Sequence, residues 1–92
     1  MNVPFINEAL KTNEQGVCIV FTKADGSERV MRATKNPSLI PQEYSETEST
    51  RSASTEACRV YDLDLGAWRS FRYDRLINMR YIDRGTEVIF TP

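Results

Sequence analysis

Two short runs of β-branched and aromatic residues meet at Leu65-Gly66, and this junction constrains the chain more than any other feature. From Cys58 the segment reads C-R-V-Y-D-L-D-L-G-A-W-R-S-F-R-Y-D-R-L-I-N-M. Glycine reaches positive φ without steric cost, so a glycine between two such runs reads as a β-hairpin connection. Side chains alternate along a strand. Over residues 67–73, Arg69, Phe71 and Tyr73 therefore share one face, and Trp68, Ser70 and Arg72 share the other. Both faces mix aromatic and cationic groups. One face must line a core, so an arginine on it has to sit at the core's mouth or lie along it with its head in water.

The same grammar recurs earlier. Residues 17–23 form a strand whose Val17, Ile19 and Phe21 share a face and are the first core candidates. Cys18 and Val20 on the other face are also apolar, so cover on both sides is expected, with a helix supplying the second cover. Asp25-Gly26 closes the hairpin, and residues 28–35 return with Met31 and Ala33 facing in. Before this hairpin, residues 4–11 read as a short helix. Pro4 suits a first turn, and Phe5, Ile6, Ala9 and Leu10 fall on one face. A helix this short is marginal alone, so it is expected to dock on the barrel and plug one end with Phe5, Ile6 and Leu10. Gly16 ends it.

Asn36-Pro37 breaks the second strand, and Leu39-Ile40 suits a single 3₁₀ turn. Residues 42–57 are rich in Ser, Thr and Glu, carry a net charge of −3, and hold Tyr44 as their one large side chain. Such a stretch buries too little to offset its ordering entropy and reads as a long mobile loop. After the 58–73 hairpin, residues 74–79 read as a short helical turn. Residues 81–90 close the chain as strand material, with Arg84-Gly85 as a turn or bulge. Five short strands with one long excursion between the second and third fit a small twisted barrel.

Ninety-two residues make one domain, here divided as 1–16, 17–35, 36–57 and 58–92. A domain of this size buries roughly 60% of its unfolded surface, so its core is modest. No apolar run approaches the roughly 18 residues of a membrane span. The N-terminus lacks the basic start and apolar centre of a signal peptide. The sequence therefore reads as intracellular, and Cys18 and Cys58 as reduced core thiols.

Much chemistry is missing. The chain has no histidine, so the usual general base near neutral pH is absent. There is no phosphate-cradling glycine loop, no nucleophile elbow and no metal-ligand spacing of cysteines. Asp62 and Asp64 share a strand face, where two carboxylates could approach a divalent cation. Ion pairing with neighbouring arginines is the preferred reading of that pair. No enzyme, cofactor or metal is expected. The net charge is −1, but residues 17–35 and 58–84 each carry +2. Every cation in the second block is arginine, whose planar fork matches phosphate or carboxylate and stacks on aromatic rings. The four aspartates of that block are the competing partners.

The stretch D-x-x-x-G-x-W-R-S-F-R-Y-D-R-L resembles the closing part of a WYL domain, whose small β-barrel ends in a strand reading roughly R-x-F-R-x-D-R-I. The stretch V-C-I-V-F-T-K-A-D-G-S-E-R-V-M-R-A-T-K-N-P-S-L-I-P is similar to the opening hairpin of the short, stand-alone, phage-encoded branch of that family. The name-giving Trp-Tyr-Leu triplet is absent. The resemblance implies a mainly β fold, a five-stranded Sm-like barrel of the Src-homology type with a short N-terminal helix. It also implies a regulatory module that senses nucleic acid or a nucleotide, and it matches Arg69, Arg72 and Arg75 to the family's closing motif. Trp68 and Tyr73, with Arg32 and Lys35 from the first hairpin, complete the expected ligand patch, since small barrels bind single strands by stacking bases and pairing phosphates. A second reading stays open. The chain is then a protein-interaction module that oligomerises, or binds and modulates a host protein, through a barrel edge, with the strand ending Glu87-Val88-Ile89-Phe90 as the edge.

Overall fold

The computed structural model describes residues 3–44 and 56–92. The helix α1 spans Val3–Thr12. Pro4 lies in its first turn, and Ile6, Ala9 and Leu10 recur at helical spacing and are buried. Phe5 departs from the expected plug. It is 37% exposed and tilts against the ring of Phe90, with centroids 5.0 Å apart. Gly16 then reverses the chain at φ +89°. A Cβ at this position would lie 2.7 Å from Leu63 Cδ1, so both the conformation and the space call for glycine.

Six strands follow: β1 Val17–Thr22, β2 Glu28–Thr34, β3 Ala57–Asp62, β4 Ala67–Arg72, β5 Leu76–Asp83 and β6 Thr86–Phe90. All ladders are antiparallel, in the order β4-β3-β2-β1-β5-β6. The expected count was five. Only Tyr73–Arg75 form the anticipated helical turn, a single 3₁₀ turn. From Leu76 the chain is extended, because Leu76 and Met79 enter the core opposite Phe21 and Ile19. The last run also splits in two at Arg84-Gly85. Both of these residues have positive φ, 52° and 79°, as a two-residue hairpin loop requires.

The core joins Ile6 and Leu10 of α1 to Val17, Ile19, Met31, Ala33, Val60, Phe71 and Met79. The helix thus covers the inner face of β1. Cys18 and Val20 on the outer face stay half-buried and do not receive the expected helical cover. Both cysteines are free thiols. The sheet curls because β2 and β3 pair only at Ala33–Asp62 and Thr34–Tyr61. Beyond that point the β3–β4 hairpin swings across, and Phe71 meets Phe21 at 5.8 Å. A register shift between Val20 and Phe21 adds to the bend. The curl stops short of closure. Among the described residues, β4 and β6 remain edges with no ladder between them.

Asn36 caps the 3₁₀ turn Pro37–Leu39 by accepting from Ser38 N, so the turn expected at Leu39-Ile40 starts earlier and ends at Leu39. A further 3₁₀ turn spans Gln42–Tyr44. The rest of the expected mobile loop falls on residues 45–55 and lies outside the described residues. No described helix is long and apolar enough to cross a membrane.

Candidate functional site

The β3–β4 hairpin places Tyr61 opposite Trp68 and Arg59 opposite Ser70. These four therefore share the outer face. The Arg59 guanidinium lies over the Trp68 ring, 5.0 Å from its centroid, within range of attraction between a cation and the ring's negative face. Tyr61 meets Trp68 edge-on at 5.7 Å, the arrangement favoured by aromatic quadrupoles. Tyr61 is only 4% exposed, so it backs the Trp68 ring from beneath, and the half-buried Arg59 and Trp68 form the accessible part of this aromatic and cationic platform.

Asp62 holds the hairpin's turn. Its carboxylate is buried, with Oδ1 accepting from the backbone N–H of Asp64 at 2.9 Å and of Leu65 at 3.0 Å. Oδ2 accepts from Arg29 at 3.4 Å, and its carbonyl receives Gly66 N at 2.8 Å. The strand register beside Trp68 follows from this turn. Asp62 is thus engaged by Arg29, the ion pairing expected of it, but it is buried rather than solvated, and Asp64 lies in the turn beyond β3 instead of sharing a strand face with it.

The seven residues expected to form one patch divide into several places. Trp68 and Arg72 share the outer face of β4. Arg72 grips Asp74 through two bonds of 3.0 and 2.9 Å, and these hold the Asp74 carboxyl below the usual carboxylate range. Arg69 points to the core side, opposite Val60, and is exposed at the mouth. Arg75 donates to Lys23 O at 3.0 Å, at the base of the first hairpin's turn. Arg32 lies on β2 opposite Cys18 of β1.

Lys35 and Tyr73 join an internal polar cluster instead. Tyr73 is 2% exposed, because the chain turns into the 3₁₀ segment just after β4 and carries its ring inward. Asn7 Nδ2 donates to the Tyr73 hydroxyl at 2.7 Å and to Val3 O at 3.0 Å. Lys35 Nζ donates to Asn7 Oδ1, and the Cys58 thiol approaches the same oxygen at 3.9 Å. The cluster clasps α1 onto the sheet. Tyr73 offers no surface for stacking a base.

Burial pushes the Tyr73 hydroxyl up to about 12 and raises the Cys58 thiol as well. Each group is then neutral in the fold at a pH where the unfolded chain ionises, so its contribution to stability is present below the unfolded pKa and lost above it. For Tyr73 that loss runs from about pH 10, the ordinary tyrosine value, to about 12. Tyr73→Phe is expected to cost about 1 kcal/mol near neutral pH through the lost hydroxyl contact. Its stability should then fall less than the wild type's between those pH values. Denaturant midpoints measured across the range check both points.

A protein-family model described as WYL_2, Sm-like SH3 beta-barrel fold, matches residues 7–77. The chain belongs to the WYL_2 family. The matched span of this WYL_2 domain contains the platform, the polar cluster and the sheet as far as the start of β5, while β6 lies beyond it. The domain is also 45% identical over 78 residues to an uncharacterized 11.5 kDa protein of the Gp31-cd intergenic region of Enterobacteria phage T4. That alignment covers 80% of this chain and 76% of the phage protein. No solved structure matches.

Arg59 and Tyr61 were missed as site residues from sequence. The signal was available in the hairpin register. A turn closing at Asp62 and Ala67 puts Tyr61 opposite Trp68 and Arg59 diagonal to it, within reach of a long side chain.

Proposed function

We propose that this WYL_2 domain is a non-enzymatic regulatory or accessory module of phage type, acting in the host cytoplasm, that binds single-stranded nucleic acid or a nucleotide on the Arg59 and Trp68 face, which the buried Tyr61 supports from beneath. The observation that carries this reading is the Arg59 guanidinium over the Trp68 ring, with Tyr61 at its edge. Such a face suits an unstacked base, because every base has a π-face and arginine adds a cation for the adjoining phosphate. Arg72, four residues along the same strand face, supplies a further cation by exchanging its solvent-exposed partner Asp74 for a phosphate. Aromatic stacking contributes about 1–3 kcal/mol per base. Trp68→Ala is therefore expected to weaken binding of a short single-stranded oligonucleotide roughly 5- to 150-fold. Arg72→Gln should weaken it uniformly across sequences and lower the salt slope by about one. Anisotropy titrations at several salt concentrations read both effects, with a thermal melt of each variant as the folding control. Trp68→Ala protein that is folded and binds as tightly as wild type would contradict the reading.

The alternative, association through an edge, draws on β6. It ends the sheet, and its Ile89 is 59% exposed on the outer face. An unpaired edge of this kind is a template for another strand. Sedimentation across a concentration series tests it. A mass that rises with concentration, and that Ile89→Lys holds at the monomer value, would favour edge association.

A further inference from the structure

The outer face of the sheet carries a second cationic feature, separate from Trp68. Arg32 of β2 and Arg80 of β5 both face Cys18 of β1 in the sheet register. The three residues form a row across adjacent strands, with an arginine on each side of a half-buried thiol. Together with Gln15, Gly16, Tyr81 and Glu87 they line a groove of about 410 Å³. Strands lie about 4.8 Å apart, so the two Cα positions are about 10 Å apart. Two arginine side chains can converge over the thiol from that separation.

Gly16 contributes by being small. The Arg32 side chain runs past it so closely that a Cβ there would sit 3.4 Å from both Cγ and Nε. Arg80 meets Glu87 at 3.9 Å, with both side chains about half exposed. That pair is long and solvated, and pairs of this kind hold their partners weakly. Arg32 makes no ion pair with any described carboxylate. The groove therefore presents two cations against one loosely engaged carboxylate.

We propose that Arg32 and Arg80 form a phosphate-binding groove over Cys18. Guanidinium forks match the tetrahedral oxygens of phosphate bidentately. Across the β2–β3 ladder, Tyr61 stands opposite Thr34, two residues along β2 from Arg32. A strand with one base on the Trp68 platform thus has a phosphate site nearby on the sheet. The groove deepens the nucleic-acid reading by supplying its phosphate contact, and it is tested separately with a simple anion.

Cys18 serves as the reporter, because Cys58 is fully buried and the native protein offers one reactive thiol. The experiment follows alkylation of Cys18 by uncharged iodoacetamide, read by peptide mass, with sodium pyrophosphate added at constant ionic strength. Pyrophosphate is expected to slow labelling by a factor of one plus its concentration over Kd, about tenfold near ten times Kd. In the double variant Arg32→Gln with Arg80→Gln, labelling should no longer respond. No protection at constant ionic strength, or equal protection in the folded double variant, overturns the groove. A short single-stranded oligonucleotide forms the second arm. Protection by pyrophosphate but not by the oligonucleotide upholds the groove as a site for small phosphate compounds and separates it from the nucleic-acid reading, which Trp68 quenching then tests alone. Quenching of Trp68 by the oligonucleotide with no protection of Cys18 from either probe leaves the platform standing and overturns the groove.

Discussion

Asp62→Ala is expected to destabilise the domain by about 2–4 kcal/mol, from two lost turn hydrogen bonds and one unpaired cation. The carboxylate is 1% exposed, and its loss leaves the N–H groups of Asp64 and Leu65 without their acceptor. Arg29 loses its partner too, but its side chain is 31% exposed and water can solvate it. The turn amides therefore dominate the cost. Asp62→Asn separates the two contributions, since it keeps an oxygen for the turn and removes the charge. It should cost about 1 kcal/mol, on the scale of a partly exposed ion pair. Urea midpoints of the two variants measure the difference. If they are equally destabilised, the ion pair with Arg29 is the dominant contact and the turn is not.

The second large effect is at Leu10. Leu10→Ala should cost about 2–5 kcal/mol, the range for a fully buried leucine whose cavity closes only in part. Leu10 is wholly buried among strand residues, and its carbonyl receives Lys35 N at 3.0 Å and Thr34 Oγ1 at 3.4 Å. Side chain and backbone thus seat the same turn of α1. A ten-residue helix has little stability of its own. Small domains have only about 5–15 kcal/mol in total, so the variant should lose a large share of its stability. Chemical denaturation followed by far-ultraviolet circular dichroism reads the loss. A change below about 1 kcal/mol would mean that α1 contributes little to the core.

Much of the fold was legible because it rests on local signals. Val17, Ile19 and Phe21 alternate onto one face, Asp25-Gly26 marks the longer loop between β1 and β2 and Arg84-Gly85 a two-residue turn, and Met31 and Ala33 face in as their period required. The extra strand was not legible. Residues 74–79 lack a continuous apolar run, and Leu76 and Met79 are drawn into a strand by Phe21 and Ile19, which lie more than fifty residues away in sequence. The fate of Tyr73 was hidden for the same reason. Alternation along β4 placed it on the side of Phe71, as observed, but its hydroxyl partner Asn7 comes from the far end of the chain. Arg59 was not legible because its partner Trp68 lies on the neighbouring strand. The cross-strand register then brings Arg59 over Trp68.

On the proposed reading, the face around Trp68 receives a base. Trp68 is the sole tryptophan, so its fluorescence reports that face directly. Titration with short single-stranded DNA and RNA, and with mononucleotides, at low and physiological salt is the most direct measurement. Saturable quenching is expected, with an affinity that falls as salt rises and a slope set by the number of phosphates contacted. A flat response to every ligand at both salt concentrations would contradict that reading.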